Sequence, residues 1–108
     1  MADYTANLDG NLTLEQTKDL CEAQQNHGFR LQSIENATIP GGGQALMVNK
    51  TEFMNEPFDW LRTLLFLDLG ADDPKRVKQQ KEGEGWTWVC NGRIYVENNI
   101  KSVMVVGK

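Results

Sequence analysis

Between Thr13 and Gly28 the apolar positions recur every three or four residues: Leu14, Thr17, Leu20, Cys21 and Gln24 form one narrow, weakly apolar face. Thr13 can cap a helix there, Gln16 can return a bond to the cap three residues later, and Gly28 stands where a left-handed residue would stop it. A surface helix with Cys21 on its inner side is predicted. The period then shortens to two. Phe29-Arg30-Leu31-Gln32 alternates apolar and polar, Ile34 breaks the register, and the stretch reads as one strand or two short ones ending by Thr38. Ile39-Pro40-Gly41-Gly42-Gly43 interrupts the pattern, and the apolar run Gln44 to Val48 reads as a second, well-buried strand.

The densest apolar stretch follows. Thr51 or Asn55 would cap a helix with Pro57 in its first turn and Gly70 at its end, carrying Phe58, Trp60, Leu61, Leu64, Leu65, Phe66, Leu67 and Leu69. This helix is expected to be central. Its polar stripe of Asn55, Glu56, Asp59, Arg62 and Thr63 extends by helical spacing to Phe66, so Phe66 is expected at a contact surface. Ala71 to Gly85 is polar and turn-rich and reads as a loop with at most one helical turn.

Near the C-terminus, Trp86 to Glu97 places Asn91-Gly92 between two β-prone runs, a pattern that predicts a hairpin with a type I′ turn. A two-residue loop would set Cys90 opposite Arg93, Val89 opposite Ile94 and Trp88 opposite Tyr95. A second turn at Asn98-Asn99 would bring Ser102 to Val106 back as a third strand. The predicted fold class is α+β: one small domain over residues 1–108, with an antiparallel sheet whose C-terminal three-stranded meander packs on the central helix.

Charge narrows the function classes. Eleven basic against fifteen acidic residues give a net charge of −4, which argues against direct nucleic-acid binding or an anionic membrane surface. Residues 1 to 28 hold five acids and one Lys, so the net acidity is N-terminal. Trp60 to Leu69 is roughly half as long as a membrane span and contains Arg62 and Asp68. Met1-Ala2-Asp3-Tyr4 lacks a basic or apolar leader pattern, so the chain is expected in the cytoplasm. Two cysteines, Cys21 and Cys90, allow at most one bridge and match no metal-ligand spacing.

Catalytic chemistry finds little in the sequence. His27, the sole histidine, sits at a helix C-terminus, where a cation suits the dipole better than a base suits a substrate. Asp72-Asp73 lacks further metal ligands at loop spacing. No catalytic residue, metal site or cofactor is therefore assigned. Gly41-Gly42-Gly43 lacks the order of a phosphate-binding loop and reads as a turn with the freedom to act as a mobile binding loop.

The most informative feature is the unequal chemistry of the two meander faces. One collects Thr87, Val89, Ile94, Val96, Val103 and Val105, which suits a helix-covered core. The other collects Trp86, Trp88, Arg93 and Tyr95 with Cys90 and Met104, residue types that concentrate at interface hot spots. The expected function is a non-enzymatic protein-binding module of inhibitor or adaptor type, a size and composition common among bacterial or phage accessory proteins. Its partner would be another protein, with a homodimer or higher homo-oligomer expected. The alternative is a small-ligand, nucleotide-like binder using Gly41, Gly42 and Gly43 with an aromatic pocket around Arg93.

Overall fold

Thr13 caps its helix as its context predicts. Its hydroxyl accepts from the Gln16 backbone N–H at 3.1 Å, and the Gln16 side-chain oxygen accepts from the Thr13 N–H at 3.0 Å. Helix α1 (Leu14–Asn26) follows and stops at Gly28, whose φ of +99° is the left-handed conformation expected there. Strand β1 (Tyr4–Asp9) precedes it. After it come β2 (Phe29–Asn36), β3 (Gly42–Asn49), β4 (Leu64–Asp68), α2 (Pro74–Gly83), β5 (Thr87–Val96) and β6 (Asn99–Gly107). The computed structural model describes residues 4–36, 41–49 and 63–108.

These elements form two three-stranded antiparallel sheets, ordered β1-β3-β2 and β4-β6-β5. The run strand, helix, strand, strand occurs twice along the chain, and each time the last strand is central in its sheet. The two ladders also run in step: Leu31 faces Met47 as Trp88 faces Val106, Ser33 faces Leu46 as Cys90 faces Val105, and Asn36 faces Gly43 as Arg93 faces Ser102. Both carry a bulge at the corresponding place, Gln32 in β2 and Val89 in β5. An extra residue shifts the pleat by one position, which is why Ile34 breaks the alternation begun at Phe29.

The halves stack face on back. In the N-terminal half, α1 covers the face of the sheet that carries Leu8 and Met47, with Cys21 between them. Against that same side packs the C-terminal sheet, contributing Leu64, Phe66, Ile94, Val96, Val103 and Val105 to the main core. Helix α1 therefore touches both β2 and β4, while β2 and β5 lie directly against each other. The N–H of Leu64 donates to the Glu22 carboxylate at 3.3 Å, tying β4 to α1. The opposite face of the C-terminal sheet, with Leu65, Leu67, Met104 and Val106, makes a smaller cluster with Val77 of α2 and with Leu69 and Trp86.

The α+β class and a C-terminal three-stranded antiparallel sheet packed on a helix are as expected, but several elements differ. Leu64 to Asp68, expected in the central helix, is strand β4; the rest of that expected helix lies outside the described residues, apart from Thr63, Leu69 and Gly70, which are not helical. An unbroken apolar run looks helical when a sheet is covered on both faces, because neither face needs polar residues. Phe66 is consequently a core residue with 6% of its surface exposed, not a contact residue on a polar stripe. The expected loop at 71–85 contains α2, begun by Pro74 and capped by the Asp73 carboxylate, which accepts from the Lys75 N–H at 3.0 Å.

Asn91-Gly92 makes no turn and lies within β5. The hairpin turns instead at Glu97-Asn98, at φ +50° and +63°, between the paired residues Val96 and Asn99. Two successive left-handed residues in a two-residue loop are the type I′ geometry, six residues beyond Asn91-Gly92 and one residue before the second turn expected at Asn98-Asn99. Two contacts hold it there: the Glu97 and Asn98 N–H groups donate to the Leu12 and Gly10 carbonyls at 3.0 and 2.8 Å. Glycine serves a different purpose at position 92, since a Cβ there would collide with the Ile34 carbonyl. Gly42 and Gly43 are likewise buried in β3, with no room for a Cβ, so the expected mobile loop is reduced to Gly41.

Candidate functional site

Ten residues of helix rise roughly 15 Å, so α2 covers only part of the sheet beneath it. Residues directly opposite in an antiparallel ladder share a face, and the face under α2 continues beyond the helix along β5 and β6. Trp88 lies opposite Val106, Asn91 opposite Met104, Arg93 opposite Ser102 and Tyr95 opposite Ile100. These residues make a strip at the uncovered end of the sheet. Trp88 is 38% and Ile100 42% exposed, Asn91 and Arg93 are exposed, and Tyr95 and Ser102 are half-buried.

The strip is held in shape locally. The Trp88 indole N–H donates to the Asn91 side-chain oxygen at 2.9 Å, and the Lys78 ammonium sits 4.5 Å from the centre of the Trp88 ring. Arg93 forms no ion pair among the described residues. Trp86, expected on the same platform, is half-buried against the α2 cluster, and Lys108 lies 4.6 Å over its ring. Cys90 also leaves the platform: the bulge at Val89 turns it into the main core. Three expected site residues, Trp88, Arg93 and Tyr95, are thus brought together, whereas Trp86, Phe66 and Gly41 to Gly43 lie elsewhere. Lys78, Asn91 and Ile100 join them unforeseen. Lys78 was legible only through the Asp73-Pro74 start signal of α2, which fixes its helical placement.

What makes the strip unusual is the other half. By ladder position, Trp88, Asn91 and Arg93 correspond to Leu31, Ile34 and Asn36, and Ser102 corresponds to Gly43. In the N-terminal half Leu31, Ile34 and Gly43 are the seat buried beneath β5, whose Gly92 approaches Ile34 and whose Ile94 lies on Gly43, while Asn36 is exposed. In the C-terminal half Trp88, Asn91 and Arg93 at the same seat are exposed.

The remaining chemistry is quiet. Both thiols are free and buried, and burial pushes Cys21 and Cys90 up to about 12, so neither is a thiolate at neutral pH. His27 is exposed beyond the end of α1. Among the described residues no group of three or more His, Cys, Asp or Glu could hold a metal ion, and no helix is long and apolar enough to cross a membrane. A cleft of about 180 Å³ is lined by Arg30, Leu31, Gln32, Val48 and Val89, beside both bulges, and burial lowers the Arg30 guanidinium below its usual range. Searches of protein-family models, curated proteins and solved structures find no match to this chain.

Proposed function

We propose that this chain is a non-enzymatic protein-binding module that docks its partner on the strip of Trp88, Asn91, Arg93, Tyr95 and Ile100. The observation that carries this reading is the seat itself: β5 fills it in one half, and in the other the described residues leave Trp88, Asn91 and Arg93 exposed. Side chains on the open seat suit intermittent burial. Trp, Tyr and Arg are the types that dominate interface energetics, because each buries much area and keeps a polar handle for water when unbound. A closed core would carry aliphatic residues there, as Leu31 and Ile34 do.

Site-specific photo-cross-linking tests the reading. A benzophenone amino acid replacing Tyr95 is expected to give discrete adducts with a partner protein in lysate of the native host, and Arg93→Glu should remove them. The same probe at exposed Gln79 on α2 serves as the reference. Adducts from position 79 with none from position 95 would refute the strip as the docking surface.

A further inference from the structure

Besides Trp88 and Ile100, the large exposed apolar side chains of the described residues include one more, Leu20 on α1, 42% exposed. It lies in an open groove of about 300 Å³ lined by Leu12, Gln16, Asp19, Leu20 and Ala23. Among the described residues, exposed large apolar side chains thus fall in two places, one on each half. Their charges are opposite. On α1, Lys18 is the shared partner of Glu15, Asp19 and Glu22, at 3.5, 3.6 and 2.9 Å, which leaves that helix surface net negative. On the strip, Lys78 and Arg93 face no carboxylate from its own ladder positions.

Resting on the docking role of the strip, we propose that its occupant is a second copy of this chain, which presents its α1 groove: Trp88 enters beside Leu20, and Arg93 meets Asp19. Opposite charges steer the two surfaces together and disfavour strip against strip or groove against groove. The sheet of the N-terminal half cannot take this part by repeating the internal stack. Its outer face carries Glu35 at the ladder position of Gly92, and a side chain there prevents the close approach that Gly92 makes to Ile34. A contact between two different surfaces does not close on itself in a dimer, so assembly should continue with concentration.

Two variants and their mixture test this. Arg93→Glu spoils the strip and leaves the groove; Leu20→Glu spoils the groove and leaves the strip. Both positions are exposed, circular dichroism confirms folding, and Ala23→Glu replaces Leu20→Glu should the latter fail to fold. By sedimentation, the native chain is expected to gain mass steadily with concentration, less so at high salt. Each variant alone should be monomeric, and an equimolar mixture should form a capped 1:1 dimer, because only one good strip and one good groove remain per pair. A native chain that stays monomeric up to about 1 mM, a limit equivalent to roughly −4 kcal/mol, overturns the second-copy occupant. So does association that survives in either variant, or a mixture that stays monomeric. The Tyr95 cross-linking experiment stands apart from these outcomes: adducts with a different protein alongside a monomeric native chain would uphold the strip and discard only its proposed occupant.

Discussion

Leu31 and Trp88 hold the same ladder position in two halves of one fold, yet Leu31 is 1% exposed and Trp88 38%. The difference comes from what lies above each. Over Leu31 the chain lays β5, with Ile34 and Met47 buried beside it; over Trp88 the described residues lay the Lys78 ammonium of α2, and Asn91 and Arg93 along the same face are exposed. The helices differ in the same sense. Helix α1 touches both sheets and buries Thr17, Cys21 and Gln25, whereas α2 sits on one sheet and buries no residue fully. The N-terminal half is the seat of the internal stack, and the C-terminal half leaves the corresponding Trp88 and Asn91 exposed.

The largest test of this asymmetry is to truncate the paired positions. Leu31→Ala should lower stability by about 3 kcal/mol, through lost transfer energy and the cavity left in the core. Trp88→Ala should cost about 1 kcal/mol, the loss being partial packing and the bond to Asn91. Urea midpoints measure both. Equal losses would mean that the strip is as buried in solution as its counterpart.

A side chain at the crossing point probes the internal stack itself. Gly92→Ala should cost about 2 kcal/mol, because its Cβ meets the Ile34 carbonyl, a backbone atom that cannot rotate away. Glu35→Ala, at the matching position of the outer face, should change stability by less than about 0.5 kcal/mol. The same urea experiment ranks them, and a neutral Gly92→Ala would show that β2 and β5 do not approach in this way.

Much of this architecture was readable, and the misses have a common cause. Helix α1 was readable because its capping box and its stop glycine are local chemistry. Strand β3 was readable because a glycine turn and an Asn-Lys pair bound it. The strand at Leu64 to Asp68 was not, since its two apolar faces erase the alternation that marks a strand. At Asn91-Gly92 a strong local turn signal lost to tertiary contacts: the glycine is needed for the approach to Ile34, and the turn at Glu97-Asn98 is anchored by Gly10 and Leu12, distant in sequence. Hydrophobic pattern carried no trace of the duplication, because matching positions such as Leu31 and Trp88 or Ile34 and Asn91 diverge where only one half is covered. The aromatic strip was partly visible in composition, but a single bulge at Val89 moved Cys90 off it, and such a bulge leaves no mark in an isolated β-prone run.

Alkali should act on the shared core rather than on either half alone. Cys21 and Cys90, one from each half, are held up to about 12 in the folded chain, mainly by burial, while an unfolded thiol ionises near 8.5. The folded state thus keeps protons that the unfolded chain gives up, so their contribution is intact below about pH 8.5 and is lost as pH rises toward 12. From pH 9 to 11 the native chain should lose on the order of 2 kcal/mol per thiol more than a Cys21→Ala, Cys90→Ala variant, read as the fall of the urea midpoint in each. Parallel falls would mean that the thiols are solvated.

The smallest effect should separate the two helices. Thr13→Ala and Asp73→Ala each remove a side-chain cap, for which about 1 kcal/mol of helix stability is usual. Helix α1 is bound to both sheets and cannot open without exposing the core, so loss of the Thr13 hydroxyl should appear in the global urea midpoint. Helix α2 covers the smaller cluster from one side, so it can fray while both sheets stay intact. Asp73→Ala should therefore speed amide exchange along Val77 to Glu84 by roughly fivefold, the kinetic equivalent of about 1 kcal/mol, with little change in the midpoint. Equal midpoint shifts in the two variants would show that α2 is as integral to the fold as α1. In that case the strip beside it would be a fixed edge of the core rather than a surface free to receive a partner.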